Sequence, residues 1–332
     1  MATKITTSLV SLASAILLAL GAGAAGAASA APSGNAGGNG SPQAASHRVE
    51  NAAAAAEYWT AERMRSAVPG DVLAQRAVAR GGTLPSVAQG SPTAKGAPTK
   101  VQGKTSLHTN EDPVSYIGKV FFTLGGQNYV CSGNAVASAN RSTVSTAGHC
   151  LNEGPGAFVT NFVFVPKYLN GVEPYGRWAA TSLHTTNEWK DHGNIAYDTG
   201  FAVVALIDST GNIDPTVKLT DTVGSTGVAF NMDRGLTYKA YGYPAAKPFN
   251  GQSLISCTGQ AGNDPYNPQF NTQGIPCDMN GGSSGGPWFI QGGGSPGYQN
   301  SVNSYGYSRF KVMYGPYWGD AVQNAYATAA AS

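Results

Sequence analysis

Short apolar or alternating runs, each bounded by turn-forming residues, recur along the last two-thirds of the chain. They fall at 119–124, 159–165, 201–207, 236–243, 287–290 and 301–307. Gly125-Gly126 reads as a hairpin turn, because the next run starts at Asn128-Tyr129. Strands at this spacing, without helical patterns between them, predict an all-β barrel or sandwich. Two stretches differ. Residues 51–80 place Tyr58, Trp59, Met64, Val68, Leu73 and Val78 among helix formers and predict partial helix. At the end, Asp320 is placed to cap a helix through Ala321, Val322, Ala325 and Tyr326.

The start of the chain has the pattern of an export signal. Lys4 supplies a positive charge, residues 8–28 are apolar and small, and Ala28-Ser29-Ala30 fits a small-x-small cleavage site. Residues 1–30 are therefore expected to be a signal peptide. A membrane anchor is the alternative, but only 12–20 is strongly apolar. Export changes the meaning of Cys131, Cys150, Cys257 and Cys277. An even number of cysteines in an oxidising compartment suggests two disulfides, and no CxxC or HxxxH spacing supports a zinc site.

Charge is sparse and unevenly placed. Basic residues outnumber acidic ones eight to four over 31–104, and the balance reverses to eleven against fourteen from Thr105 onward. The formal net charge of +2 points to neither nucleic acid nor an anionic membrane as partner. Residues 31–46 are rich in Gly, Ala and Ser and read as disordered, and 81–103 reads as linker. The expected organisation is a signal peptide (1–30), a propeptide or leader (31–104) and one catalytic domain (105–332). A spacer that stays attached is the alternative for the leader.

Three local motifs carry chemistry. Thr146-Ala147-Gly148-His149-Cys150 comes first, Tyr197-Asp198-Thr199-Gly200-Phe201 second, and Gly282-Ser283-Ser284-Gly285-Gly286-Pro287 third. A serine hydroxyl is a weak nucleophile until a base takes its proton. The order His…Asp…Ser, with these settings, resembles the secreted bacterial trypsin-like (chymotrypsin-fold) serine peptidases, near their glutamyl endopeptidase branch.

The resemblance covers about residues 114–330. It implies two packed six-stranded antiparallel β-barrels closed by the C-terminal helix. It further implies Ser284 as nucleophile, His149 as base and Asp198 as the group orienting that base, with Asp191 the weaker candidate. The amides of Gly282 and Ser284 would form the oxyanion hole. Ser304-Tyr305-Gly306 is similar to the family's Ser-Trp-Gly strand, whose serine supports the aspartate and whose backbone pairs with substrate. Cys131 would pair with Cys150, and Cys257 with Cys277. His47 and His108 fall in or near the leader, while His184 and His192 read as solvated surface residues.

Departures from the family pattern bear on specificity. Ser283 stands where pancreatic-type enzymes carry an aspartate that pairs with a freed N-terminus. Asn280 replaces a cysteine, and Asn303 stands where glutamyl endopeptidases carry a histidine. Asp278, six residues before Ser284, has the spacing of a pocket-base aspartate and implies cleavage after Arg or Lys. Apolar or glutamate specificity are the alternatives. The expected function is an extracellular serine endopeptidase acting on proteins or peptides as a monomer, without metal or organic cofactor. A catalytically silent binding protein on the same fold is the competing reading. An α/β-hydrolase is excluded, because no histidine follows Ser284.

Overall fold

Strand Ile117–Leu124 turns through Gly125 and Gly126, both at positive φ, into strand Gln127–Val136. Only glycine adopts that pair of conformations without strain. The ladder continues to Thr143–Thr146, Gly200–Ile207, Trp178–Thr185 and Thr160–Pro166, and returns to Ile117–Leu124. This closes a six-stranded antiparallel barrel. The computed structural model describes residues 1–2, 44–81, 87–292 and 295–332. Most of the expected signal peptide and the first part of the leader lie outside the described residues.

The barrel strands read as continuous apolar runs because both of their faces are buried. Val120, Phe122, Phe164 and Leu183 fill the barrel interior. Ile117, Phe121, Val163 and Val165 face outward, yet pack against Trp59 and Met64 of the leader and Tyr243, Leu254 and Phe289 of the second half. That second half joins Thr237–Gly242, Leu254–Gln260, Pro287–Ile290 and Gln299–Val302 in one sheet. A smaller sheet pairs Gln273–Pro276 with Val312–Gly315 and Tyr305–Gly306. The Cys257–Cys277 disulfide links the two sheets, and Cys131–Cys150 ties the first barrel beside His149. The all-β, two-barrel architecture is the one expected.

Helix Asp320–Ala331 buries Val322, Ala325 and Ala329 against the first barrel, where the Tyr326 ring meets Phe201 and Phe230. Gly319, not Asp320, is its N-cap residue, and the Asp320 carboxylate accepts from Asn231 Nδ2 at 2.7 Å. No helix among the described residues is long and apolar enough to cross a membrane.

The leader is more ordered than its composition predicts. Residues 40–332 form one compact unit, so its described part belongs to the same body as the barrels. Ala45–Arg48 adds to strand Trp178–Thr185, and Thr93–Lys95 pairs with Val228–Phe230. Neither segment has a hydrophobic pattern, because an edge strand can be held by backbone hydrogen bonds alone. Among the described residues, three helices lie between them, at Ala54–Tyr58, Ala61–Ser66 and Asp71–Arg80. His184 corrects a second expectation. It lies buried on Trp178–Thr185 between the hydroxyls of Ser46 and Ser182, and burial lowers its pKa to about 4. His192, by contrast, is exposed at the end of helix Asn187–His192.

Candidate active site

Strand Thr143–Thr146 runs into a 3-10 turn, Gly148–Cys150, which places His149 at the seam between the halves. A second 3-10 turn, Ile195–Tyr197, ends at Asp198 just before the strand Gly200–Ile207. Both side chains are fully buried. His149 Nδ1 meets Asp198 Oδ2 at 2.7 Å, and the His149 backbone N–H donates to Oδ1 at 2.7 Å. One carboxylate thus fixes the ring and the turn that carries it. Asp191 is exposed and paired with Lys190. The His149 ring also meets the edge of Trp189, whose indole N–H donates to Asn152 O.

Among the described residues, His149 Nε2, on the ring side away from Asp198, is buried without a hydrogen-bond partner. Ser284 lies in a tightly wound loop between Gln273–Pro276 and Pro287–Ile290. The Ser284 carbonyl accepts from the Ser132 N–H at 2.7 Å, and the Gly285 N–H donates to Asn303 O at 2.7 Å. Gly285 has φ +81°, and a Cβ there would meet Thr146 Oγ1 and Ser132 O. At Gly286 a Cβ would strike Tyr241 O. The glycines around Ser284 are therefore demanded by close backbone packing. Gly282 has φ +96°, and among the described residues the N–H groups of Gly282 and Ser284 have no acceptor. Ser283 instead turns inward, its hydroxyl donating to Asn280 O.

Ser304 Oγ donates to Asp198 Oδ2 at 2.5 Å. Beside it, Tyr305 is buried. It stacks on Tyr314 and donates to Asp264 Oδ2 at 2.8 Å. Burial pushes its phenol above the ordinary range. The Gly306 carbonyl accepts from Gln75 Nε2 of the leader at 2.8 Å. Asn303 is buried, donating to Tyr241 O and Ser283 O.

A cavity of about 620 Å³ opens at Ser284 and contains Asp278, Ser304 and Gly306 in its wall. The Asp278 carboxylate is already engaged. His108 Nδ1 approaches its two oxygens at 2.8 and 2.9 Å, and Lys311 Nζ lies 3.9 Å away. Asp71 and Gln75 of the leader line the same cavity. Burial raises the Asp71 carboxyl, opposed by the charge of nearby His149. Trp189, His108, Asp71 and Gln75 were not among the residues that the motifs identify, since none lies in a motif.

Cys131, His149 and Cys150 bring ligand-type atoms within 4.8 Å of one another. The two cysteines are bonded to each other, so this cluster offers no thiolate pair to a metal.

Solved structures share this fold, among them the following three. Protease Anisep from Arthrobacter nicotinovorans is 65% identical, with a TM-score of 0.63, over 68% of this chain and 100% of that one. The thermostable serine protease AL20 from an extremophilic microorganism is 50% identical, with a TM-score of 0.60, over 66% of this chain and 98% of its own. A Glu endopeptidase crystallised with MPD is 19% identical, with a TM-score of 0.52, over 68% and 97%, a likeness of fold alone. Among curated proteins, an extracellular metalloprotease of Bacillus subtilis is 28% identical over 121 residues, which is 36% of this chain and 35% of that protein. The chain thus spans about a third of the length of this relative. No family profile matches the chain.

Proposed function

The chain belongs to the bacterial serine proteases of chymotrypsin-like fold, and we propose that it is an extracellular endopeptidase whose reacting groups are Ser284, His149 and Asp198. The observation that carries this reading is the buried His149–Asp198 pair. Its carboxylate would hold Nδ1 protonated, while Nε2 is buried with no partner among the described residues. Nε2 would take the Ser284 hydroxyl proton as Oγ attacks the scissile carbonyl, then pass it to the leaving amine. The resulting acyl-enzyme would be released by water through the same histidine. Asp198 would stabilise the imidazolium without itself accepting the proton. The free N–H groups of Gly282 and Ser284 would receive the oxyanion, each worth roughly a hundred- to a thousand-fold in turnover.

The cavity beside Ser284 would take the side chain before the scissile bond. Asp278 in its wall favours arginine or lysine, whose cation would compete with His108 for the carboxylate. Export is supported by the signal-like start and the two disulfides. Residues 105–332 would be the mature enzyme, acting as a monomer on protein or peptide substrates.

Ser284→Ala and His149→Ala should each abolish peptide hydrolysis, and Ser284→Ala should abolish labelling by a fluorophosphonate, with circular dichroism unchanged. Unchanged hydrolysis in either variant overturns the assignment. A peptide-library digest tests specificity. Asp278→Ser should lose a bias toward basic residues, and absence of that bias in the unaltered protein would make Asp278 a loop residue.

A further inference from the structure

Lys119 carries a buried ammonium that the proposed chemistry does not use. It shares the outward face of strand Ile117–Leu124 with Ile117 and Phe121, and that face packs on the second half of the molecule. Only 3% of the residue is exposed. Among the described residues no carboxylate pairs with it. Its Nζ lies over the rings of Tyr168 and Phe121, at 4.5 and 5.1 Å, and donates to the Gly251 carbonyl at 3.0 Å. Burial lowers its pKa to about 8. A cation in such a place destabilises the fold, and an apolar side chain of similar length would pack there without that penalty.

The carbonyl that Lys119 holds ends a loop that reaches the oxyanion-hole candidates. The Gly251 N–H donates to Pro244 O at 2.7 Å and closes residues 244–251 on themselves. At the start of this loop the Ala245 N–H donates to Gly281 O at 2.6 Å. Asn280 clamps the next turn, its Nδ2 donating to Ala246 O at 2.8 Å and Lys247 O at 3.0 Å. The Ser132 hydroxyl, on the first barrel, accepts from the Tyr243 N–H and donates to Gly282 O, both at 2.9 Å. Gly251 itself is tightly packed. A Cβ there would lie 2.9 Å from Ala245 Cβ and 3.3 Å from Lys119 Nζ.

The contact at Gly281 fixes an orientation. Its C=O and the Gly282 N–H belong to one planar trans peptide and point in opposite directions. By gripping the carbonyl, Ala245 aims the N–H that is proposed above to receive the oxyanion. Both residues of this peptide are glycine, so the chain itself offers little resistance to its turning over. From this we infer that Lys119 is a positioning residue for the oxyanion hole: it pins loop 244–251 to the first barrel, and the loop holds the Gly281–Gly282 peptide with its N–H toward the substrate. The inference rests on the serine-protease site proposed above. It explains why an unpaired cation is kept in the seam between the halves.

The test uses the full chain, a peptide substrate taken from the library digest, and the matching peptide aldehyde. An aldehyde adds to the serine as a hemiacetal, whose oxygen lies where the oxyanion forms. Lys119→Met removes the donor and the charge and keeps the length. A Gly282 N–H turned away nine-tenths of the time lowers turnover about tenfold, within the roughly hundred- to thousandfold carried by one such donor. The expected result is that fall in kcat with KM little changed, an equal fall in aldehyde affinity, and an unfolding midpoint no lower than that of the unaltered chain. If Lys119→Met does not fold, Gly251→Ala, which drives a Cβ against Nζ and Ala245, should give the same losses of kcat and aldehyde affinity. A lower midpoint with unchanged kcat and aldehyde affinity makes Lys119 a residue of the fold and overturns the inference, leaving the protease reading intact. A rise in KM alone overturns it too, since Lys119 would then act on the cavity wall. Absence of both hydrolysis and aldehyde binding in the unaltered chain overturns both.

Discussion

Ser304 and His149 meet on the same oxygen of Asp198, the hydroxyl at 2.5 Å and Nδ1 at 2.7 Å. The carboxylate is therefore held from two sides with no solvent access, and its orientation depends on the serine as much as on the imidazole. Ser304→Ala removes a hydrogen bond to a charged, buried group, worth about 1.5–3 kcal/mol. The expected outcome is a fall in kcat of roughly ten- to a hundredfold with KM little changed. Unaltered kcat would reduce Ser304 to a packing residue.

His108 and Asp278 give a second expected outcome. The histidine ring occupies the carboxylate oxygens that the cavity offers to a substrate cation. In His108→Ala that competition is gone. The kcat/KM for lysine- and arginine-containing peptides should rise severalfold relative to apolar ones, on the order of 1 kcal/mol. An equal change for both peptide classes would show that His108 acts on the fold and not on specificity.

Asp264 holds the far side of the Ser304–Gly306 strand. Its buried carboxylate accepts from the hydroxyls of Tyr305 and Tyr307 and from the N–H groups of Tyr266 and Asn267. Asp264→Ala leaves two phenols without that acceptor, and a loss of about 3 kcal/mol is expected in denaturant unfolding. A midpoint within error of the unaltered protein would contradict this.

His184 makes stability depend on acid. Its pKa is near 4 in the fold and 6.5 when the chain is unfolded, with burial as the cause. The unfolded state therefore binds more protons between these values. The stabilisation is complete above about pH 6.5 and is lost as pH falls through 4, by at most about 3 kcal/mol. His184→Gln should flatten the stability profile across that window. An identical profile for both proteins would contradict burial of a neutral imidazole. Because Ser46 of the leader hydrogen-bonds this ring, the same acid window should loosen strand Ala45–Arg48.

The sequence by itself determined the fold class and the order of the three chemical motifs. Alternation and turn residues are local, and the glycines at 282, 285 and 286 announce a backbone with no room for side chains. The hairpin at Gly125-Gly126 and the helix near the end were legible for the same reason, though the cap fell to Gly319. Only tertiary structure decided which groups meet. Nothing local to Asp71, Gln75, His108 or Trp189 marks them, because their roles come from contacts across about 40 to 230 residues of chain. His184 was misread for the same cause: a polar neighbourhood in sequence says little about burial when a leader strand from residues 45–48 covers it. Composition marked the two ends of the leader, 31–46 and 81–103, as disordered and linker, since pairing through the backbone carries almost no hydrophobic signal. Its place in the cleft is set by shape, by Gly70 against Cys131 and by Ala74 and Ala77 beside Trp189, and shape exists only once the barrels have formed.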